Sequence, residues 1–332
     1  MPNLISICFA ILSLGCVCLA ADSGINPENS DPCEFVRQAI YNLPAAGGVI
    51  LVPSGTYTCR TPVILDRSHL TLRGQGEVTF KLADASNAPI LIMGDAATPP
   101  KHLQDIEISN IKIDGNRAHQ TSECWGGACD SGGTAFIRNN GITVRGLTRG
   151  RILNVEVSGA RSGGVVTEKG CYDLIIDHLT SVDNFFDGFA GYETSRATLT
   201  HLNLSHNQAA GISIDIRFNA NTFRDVKLEH NGDVGIFMRD SSFNLFENFQ
   251  ISDNGNHGVF LAQAEAQYSC ANENEFSNFS ILRSKGFGFR LNDACPGNRM
   301  AGTTRLEKNR DGCISEGTST KLEIFGSALC DN

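Results

Sequence analysis

The stretch Leu202-Asn-Leu-Ser-His-Asn207, Gly211-Ile-Ser-Ile-Asp215, Val226-Lys-Leu-Glu-His-Asn231, Gly235-Ile-Phe-Met-Arg239 states one unit twice. The unit continues in both directions. Leu179-Thr-Ser-Val-Asp-Asn184 with Gly188-Phe-Ala-Gly-Tyr192 precedes it, and Phe249-Gln-Ile-Ser-Asp-Asn254 with Gly258-Val-Phe-Leu-Ala262 follows. The asparagines stand 23, 24 and 23 residues apart. A repeat of this size, made of two short strands and Asn/Gly turns, cannot bury its apolar face alone and must stack on its neighbours as a solenoid.

In the first strand of each unit Ile111/Ile113, Val155/Val157, Leu202/Leu204, Val226/Leu228, Phe249/Ile251 and Phe279/Ile281 alternate with polar residues, which sends them to the lumen. Many short strands also suit a β-sandwich. The fixed period, without hairpin signals between successive strands, favours an all-β, single-stranded parallel β-helix of about nine or ten coils. Two polar columns accompany the lumen. Asn110, Asn154, His178, His201, Asp225, Asn248 and Asn278 read as a stacked ladder at a turn, where amides satisfy one another. Asn184, Asn207, Asn231 and Asn254 read as left-handed turn residues, a conformation asparagine tolerates.

Outside the repeat, the uncharged first twenty residues hold the apolar run Leu4 to Ala20, read as a secretory signal peptide over 1–20. The run is short for a membrane span. Residues 21–48 form an N-terminal capping region: Ser30-Asp31-Pro32 opens a helix through Phe35 to Ile40, and Pro44 to Gly48 closes it. The β-helix domain then covers 49–332, with loop insertions near 115–140 and 263–274. Removing the leader leaves nine cysteines, an odd number for an exported, disulfide-bonded protein that is extracellular or periplasmic. Cys33 with Cys59, Cys124 with Cys129, Cys270 with Cys295 and Cys313 with Cys330 are the pairs expected, and Cys171 is left over. Asn203-Leu-Ser205 and Asn278-Phe-Ser280 match the glycan acceptor pattern of a glycoprotein. The net charge of −9 argues against nucleic acid, which needs a basic face. A monomer without stable membrane insertion is expected.

Chemistry is sought on the second strand. Its first and third residues after the glycine are apolar and face inward, so the second and fourth face outward. The fourth position reads Glu168, Tyr192, Asp215, Arg239 in successive units. With coils about 4.8 Å apart, these four span roughly 15 Å of one face. Acid, phenol, acid and guanidinium can supply a proton donor, a base and a charge neutraliser. The plainer reading is a solvated face with opposite charges paired across rungs, which contributes little. Ala190 and Ser213, small residues at position two, leave room for a ligand. Lys169, Glu193, Arg217, Phe237 and Asp240 flank the row as substrate-binding candidates, with Trp125 of the Gly115–Asn140 insertion as a groove wall. No cofactor is required by this set. Calcium is compatible with Asp215, Asp240 or Asp293, although no loop has a recognisable ligand spacing, and no CxxC pair suggests zinc.

Three motifs carry a family resemblance over nearly all of the mature chain: Ala45-Ala-Gly-Gly-Val-Ile-Leu-Val-Pro-Ser-Gly-Thr-Tyr57, Ile111-Lys-Ile-Asp-Gly-Asn-Arg117 and Asp183-Asn-Phe-Phe-Asp-Gly-Phe189. With them the chain resembles secreted right-handed β-helix proteins of the pectate lyase-like superfamily, and among these the catalytic module of the mannuronan C5-epimerases. The resemblance implies a substrate groove and a polysaccharide partner. It implies a Tyr, an Asp-Pro-His run and an Asp in the next coil, but those positions hold Gly163, Val166, Glu168 and Tyr192 here. The polygalacturonase signature is also absent, Asn256-His-Gly258 being a partial echo. The expectation is therefore a lyase or epimerase that abstracts the C5 proton of an acidic polysaccharide with altered groups. Arg239 or Arg217 would neutralise the uronate, Tyr192 would serve as acid or base, and Glu168 or Asp215 would complete the set. Three alternatives stay open. They are an inverting glycoside hydrolase using Glu168 and Asp215, a non-catalytic glycan-binding protein, and a small-molecule enzyme reusing the scaffold.

Overall fold

A computed structural model describes residues 6–12, 14–20, 31–122, 137–263, 269–292, 294–318 and 320–331. Each coil begins with a long strand. Eleven such strands, from Gly48–Cys59 to Glu323–Asp331, lie parallel in one sheet. Ten short strands, from Val63–Leu65 to Gly312–Ser315, form a second parallel sheet. Four two-residue strands, among them Cys171–Tyr172 and Thr194–Ser195, make a third. The solenoid therefore has about one coil more than the repeat suggested, because the outermost coils lack the Asn/Gly signature. Ser6–Leu12 and Leu14–Ala20, the run read as a leader, pair antiparallel with each other. No helix among the described residues is long and apolar enough to cross a membrane.

The first polar column is the stacked ladder read from the sequence, with Asn154 Nδ2 donating to Asn110 Oδ1, Asn248 Nδ2 to Asp225 Oδ1 and Asn278 Nδ2 to Asn248 Oδ1, and it also makes the left-handed bend expected of the second. Asn110, Asn154, His178, His201, Asp225, Asn248 and Asn278 all adopt left-handed backbone, with φ between 53° and 59°. One such residue per coil bends the long strand, and its side chain stays on the outside. Alternation resets at the bend: Ile152 and Val155 are both buried, with Leu153 and Asn154 between them. Asn184, Asn207, Asn231 and Asn254 are instead buried, and their amides run from coil to coil. Asn184 Nδ2 donates to Asn207 Oδ1 (2.9 Å), Asn207 Nδ2 to Asn231 Oδ1 (3.2 Å), and Asn231 Nδ2 to Asn254 Oδ1 (3.1 Å). Each Oδ1 also accepts the backbone N–H of the preceding asparagine, at 2.9–3.2 Å. Left-handed φ falls one residue earlier, at Asp183, His206, His230 and Asp253. A second ladder, not singled out in the sequence, links Asn221, Asn244, Asn274 and Asn298 with Nδ2 to Oδ1 distances of 3.0–3.1 Å. Buried amides in such a column meet the rule that interior polar groups must be paired.

The repeated glycines belong to the first ladder. A Cβ on Gly188 would stand 2.7 Å from Asn207 Nδ2, and one on Gly211 would stand 2.9 Å from Asn231 Nδ2. The lumen fills with Ile and Leu at first and with phenylalanine later. Phe223, Phe246 and Phe276 stack at 5.2 and 4.9 Å, and Phe249 with Phe279 at 4.7 Å. Stacked rings in register add to area burial.

The N-terminal helix spans Glu34–Asn42 and covers the first coil with Val36, Ala39 and Ile40. Asp31 prepares its start by accepting the Cys33 N–H (3.0 Å) and pairing with Arg37 (2.6 Å). Cys33–Cys59, Cys270–Cys295 and Cys313–Cys330 are disulfides, and Cys171 is a buried thiol. Cys124 and Cys129 lie outside the described residues.

Candidate functional site

The register of the short sheet places the predicted row on one outward face. Tyr192 pairs with Asp215, and Ala190 with Ser213 and then Phe237. Glu168 pairs with Arg145 on the other side. Val166, Ala190 and Ser213 form the floor, since each stands at position two of its strand.

Two of the four predicted groups are already held by cations. Arg145 is 1 % exposed, and its Nε lies 2.8 Å from Glu168 Oε1. Its Nη1 and Nη2 donate to Ala96 O (2.8 Å) and Thr98 Oγ1 (3.1 Å), which fixes the 95–101 segment against this end of the face. Burial pushes the Glu168 carboxyl upward, and Arg145 acts against that shift. One coil beyond Tyr192, the buried Asp215 is ion-paired with Arg239, whose guanidinium also covers the Phe237 ring at 5.2 Å. Desolvation raises Asp215 as well, opposed by the Ile216 N–H and by Arg239.

Asp187 and Tyr192 are different. They sit in the same coil, Asp187 just before the repeated glycine and Tyr192 at the end of the strand. Desolvation drives the Asp187 carboxyl up to about 6, against the Ala210 N–H that it accepts at 2.9 Å and the charge of Arg138. Desolvation likewise holds the Tyr192 phenol well above its usual range. The Asp187 charge is the largest electrostatic contribution to that shift, ahead of Arg138, Asp215 and Glu168. One largely buried phenol thus senses three carboxyls and one guanidinium. Arg138 stands over the Phe186 ring at 4.6 Å, and Arg161 over Phe185 at 4.2 Å. The Phe-Phe of Asp183-Asn-Phe-Phe-Asp-Gly-Phe189 therefore seats two arginines, of which Arg138 acts on Asp187. Perturbed titration of converging groups on one face is a mark of functional sites.

The flanking candidates divide. Phe237 lies on the outward face, with Phe260 5.7 Å further along. Lys169, Glu193 and Arg217 adopt left-handed backbone just past the strand and turn toward the third sheet. There they line an open cavity of about 550 Å³ with Pro99, His102 and Tyr172, and Arg217 pairs with Glu193 at 2.8 Å. Asp240 accepts from Ser269 Oγ at 2.5 Å. Trp125 and Asp293 lie outside the described residues. Asp187, Arg138, Arg145 and Arg161 were not among the residues singled out for the site. Asp187 belongs to a column (Gly163, Asp187, Ala210, Val234, His257) that has no repeated character, and that irregularity was its available signal.

A model described as a right handed beta helix region matches residues 183–328. The fold is a right-handed parallel β-helix. No curated protein matches the chain in sequence. Among solved structures, this β-helix is similar to the mannuronan C-5 epimerase AlgE4 A-module of Azotobacter vinelandii, with a TM-score of 0.62, 16% identity, and 89% and 88% of the two chains covered. It is similar to the ORF18 protein of Geobacillus virus E2 (TM-score 0.65, 15% identity, 92% of this chain and 59% of that one). It is also similar to an endo-xylogalacturonan hydrolase from Aspergillus tubingensis (TM-score 0.59, 13% identity, 93% and 94% covered). At these identities the likeness is one of fold.

Proposed function

We propose that this β-helix protein acts on an acidic, uronate-containing polysaccharide and removes the C5 proton, as a lyase or an epimerase. The observation that carries the reading is the Asp187–Tyr192 pair: a carboxyl raised to about 6 beside a phenol held protonated. At neutral pH Asp187 is ionised yet more basic than an ordinary carboxylate, which suits a general base. Tyr192 keeps its proton and can give it up. Asp187 would take the C5 proton, the uronate carboxylate would accept the electron pair, and Arg138 would offset the charge that develops there. The Tyr192 O–H then protonates C5 from the opposite face (epimerisation) or the departing glycosidic oxygen (elimination). Glu168 and Asp215, tied to Arg145 and Arg239, act as walls that keep the local field fixed. This assignment moves the base from Tyr192, Glu168 or Asp215 to Asp187 and the neutralising cation from Arg239 or Arg217 to Arg138. The names of the AlgE4 module and of the periplasmic alginate epimerase AlgG support the substrate class.

A hydrolase is the second reading. It is favoured by the same raised Asp187, which also suits a general acid, with Asp215 in the next coil as base. Incubation with alginate and polygalacturonate in deuterated water separates the two. Deuterium at C5 or an unsaturated chain end supports proton abstraction. New reducing ends with neither of those overturn it in favour of hydrolysis.

A further inference from the structure

Asp177, His178 and His201 lie on the long sheet, away from the acid row. The left-handed column at the bend is otherwise Asn or Asp, at Asn110, Asn154, Asp225, Asn248 and Asn278, and it is interrupted by two successive histidines. Because His178 and His201 share φ 54° in adjacent coils, their rings project in parallel and stack at 4.5 Å with 23° between planes. Asp177 bridges them. Its Oδ2 lies 2.9 Å from His178 Nδ1, and its Oδ1 lies 2.8 Å from His201 Nδ1. Thr200 Oγ1 donates to Oδ1 at 2.6 Å and so orients the carboxylate. On the far side, Asp225 Oδ2 stands 3.8 Å from His201 Nε2.

We propose that Asp177, His178 and His201 form a binding site for a divalent transition-metal ion of the zinc or copper type, clamping two coils together. The three ligand atoms lie within 4.8 Å of one another. An ion bound at roughly 2.0–2.2 Å spans ligand atoms up to about 4 Å apart, so closing the site takes small rotations of two exposed rings. Two imidazoles and one carboxylate suit zinc, copper or nickel. An all-oxygen ion such as calcium or magnesium would be served poorly. The carboxylate that now accepts from both Nδ1 atoms becomes a ligand when each imidazole moves its proton to Nε2 and offers Nδ1 to the ion, and Thr200 and Asp225 become outer partners. Three protein ligands leave a coordination position open.

The molecule contains its own control. His206 and His230 also stack in left-handed positions, at 5.1 Å and 21°. Among the described residues, however, no third ligand atom joins them. Stacked histidines by themselves are therefore separable from the bridged pair.

Titrating the purified full chain with zinc chloride in a calorimeter at neutral pH should show one ion per chain. His178→Ala and His201→Ala should each weaken binding by more than about tenfold, and His206→Ala should leave it unchanged. All three histidines are exposed, and circular dichroism checks that the variants fold. Zinc, copper and nickel all failing to bind would overturn the proposal, as would binding that survives both His178→Ala and His201→Ala. Loss on His206→Ala alone would overturn it too. None of these readouts depends on polysaccharide turnover.

Discussion

Two polar columns run along the solenoid with one residue per coil, and they differ in every other respect. The buried ladder repeats the same residue, Asn184, Asn207, Asn231 and Asn254, and each amide is bonded to the next. The outward row changes identity at each step, Glu168, Tyr192, Asp215, Arg239, with Asp187 beside it. A column serving the fold has one requirement in every coil and converges on one residue. A column serving chemistry needs different groups at neighbouring positions. Uniformity along the register therefore marks structure, and variation at an otherwise regular outward register marks the place to look for function.

The comparison is broken most severely if the outward row proves dispensable. Asp187→Asn and Tyr192→Phe should each lower turnover by about 10²–10⁴-fold, measured on whichever uronate polymer is turned over, without lowering the thermal midpoint. A ladder substitution should do the reverse. Asn231→Ala strips partners from Asn207, Asn254 and the Leu204 carbonyl, and should cost about 3 kcal/mol or more in urea unfolding, while the folded fraction keeps its activity.

At Asp187, stability and activity depend on pH with opposite signs. The folded Asp187 carboxyl titrates near 6, above an unfolded value of about 3.9. Its contribution to stability is therefore complete below the lower value and lost as pH rises through the higher. Activity needs the ionised form and should rise over that same interval. An acid limb near pH 6 in kcat/KM, absent from any residual rate of Asp187→Asn, would tie the limb to this group. The smallest effect should come from the bend. Asn154→Gly keeps a left-handed position open to a residue without Cβ, so stability should move by no more than about 0.5 kcal/mol.

Periodicity made the fold legible because the repeat is a physical necessity of stacking. Local detail was less legible. The ladder and bend columns both carry asparagine, and the residue type alone does not say which is buried. The answer lay one residue away, where Asp183, His206, His230 and Asp253 take the left-handed turn. The second ladder escaped notice because an insertion stretches its step from Asn244 to Asn274. At the site, the row Glu168, Tyr192, Asp215 was readable from alternation. Asp187 was missed because its column does not repeat. Arg145 was missed because the row was begun at Glu168, although Gly141-Ile-Thr-Val-Arg145 puts it at the same fourth position one coil earlier.

The three disulfides among the described residues sit where a linear stack of coils is weakest. Cys33–Cys59 ties the capping helix to the first coil, Cys313–Cys330 closes the last, and Cys270–Cys295 spans the coil that carries the 263–274 insertion. A stack held only by nearest neighbours opens from its free ends, one rung at a time. Fastening the end rungs covalently takes away the inexpensive first step, so a protease or a reductant must act on the ends before the ladder between them can come apart.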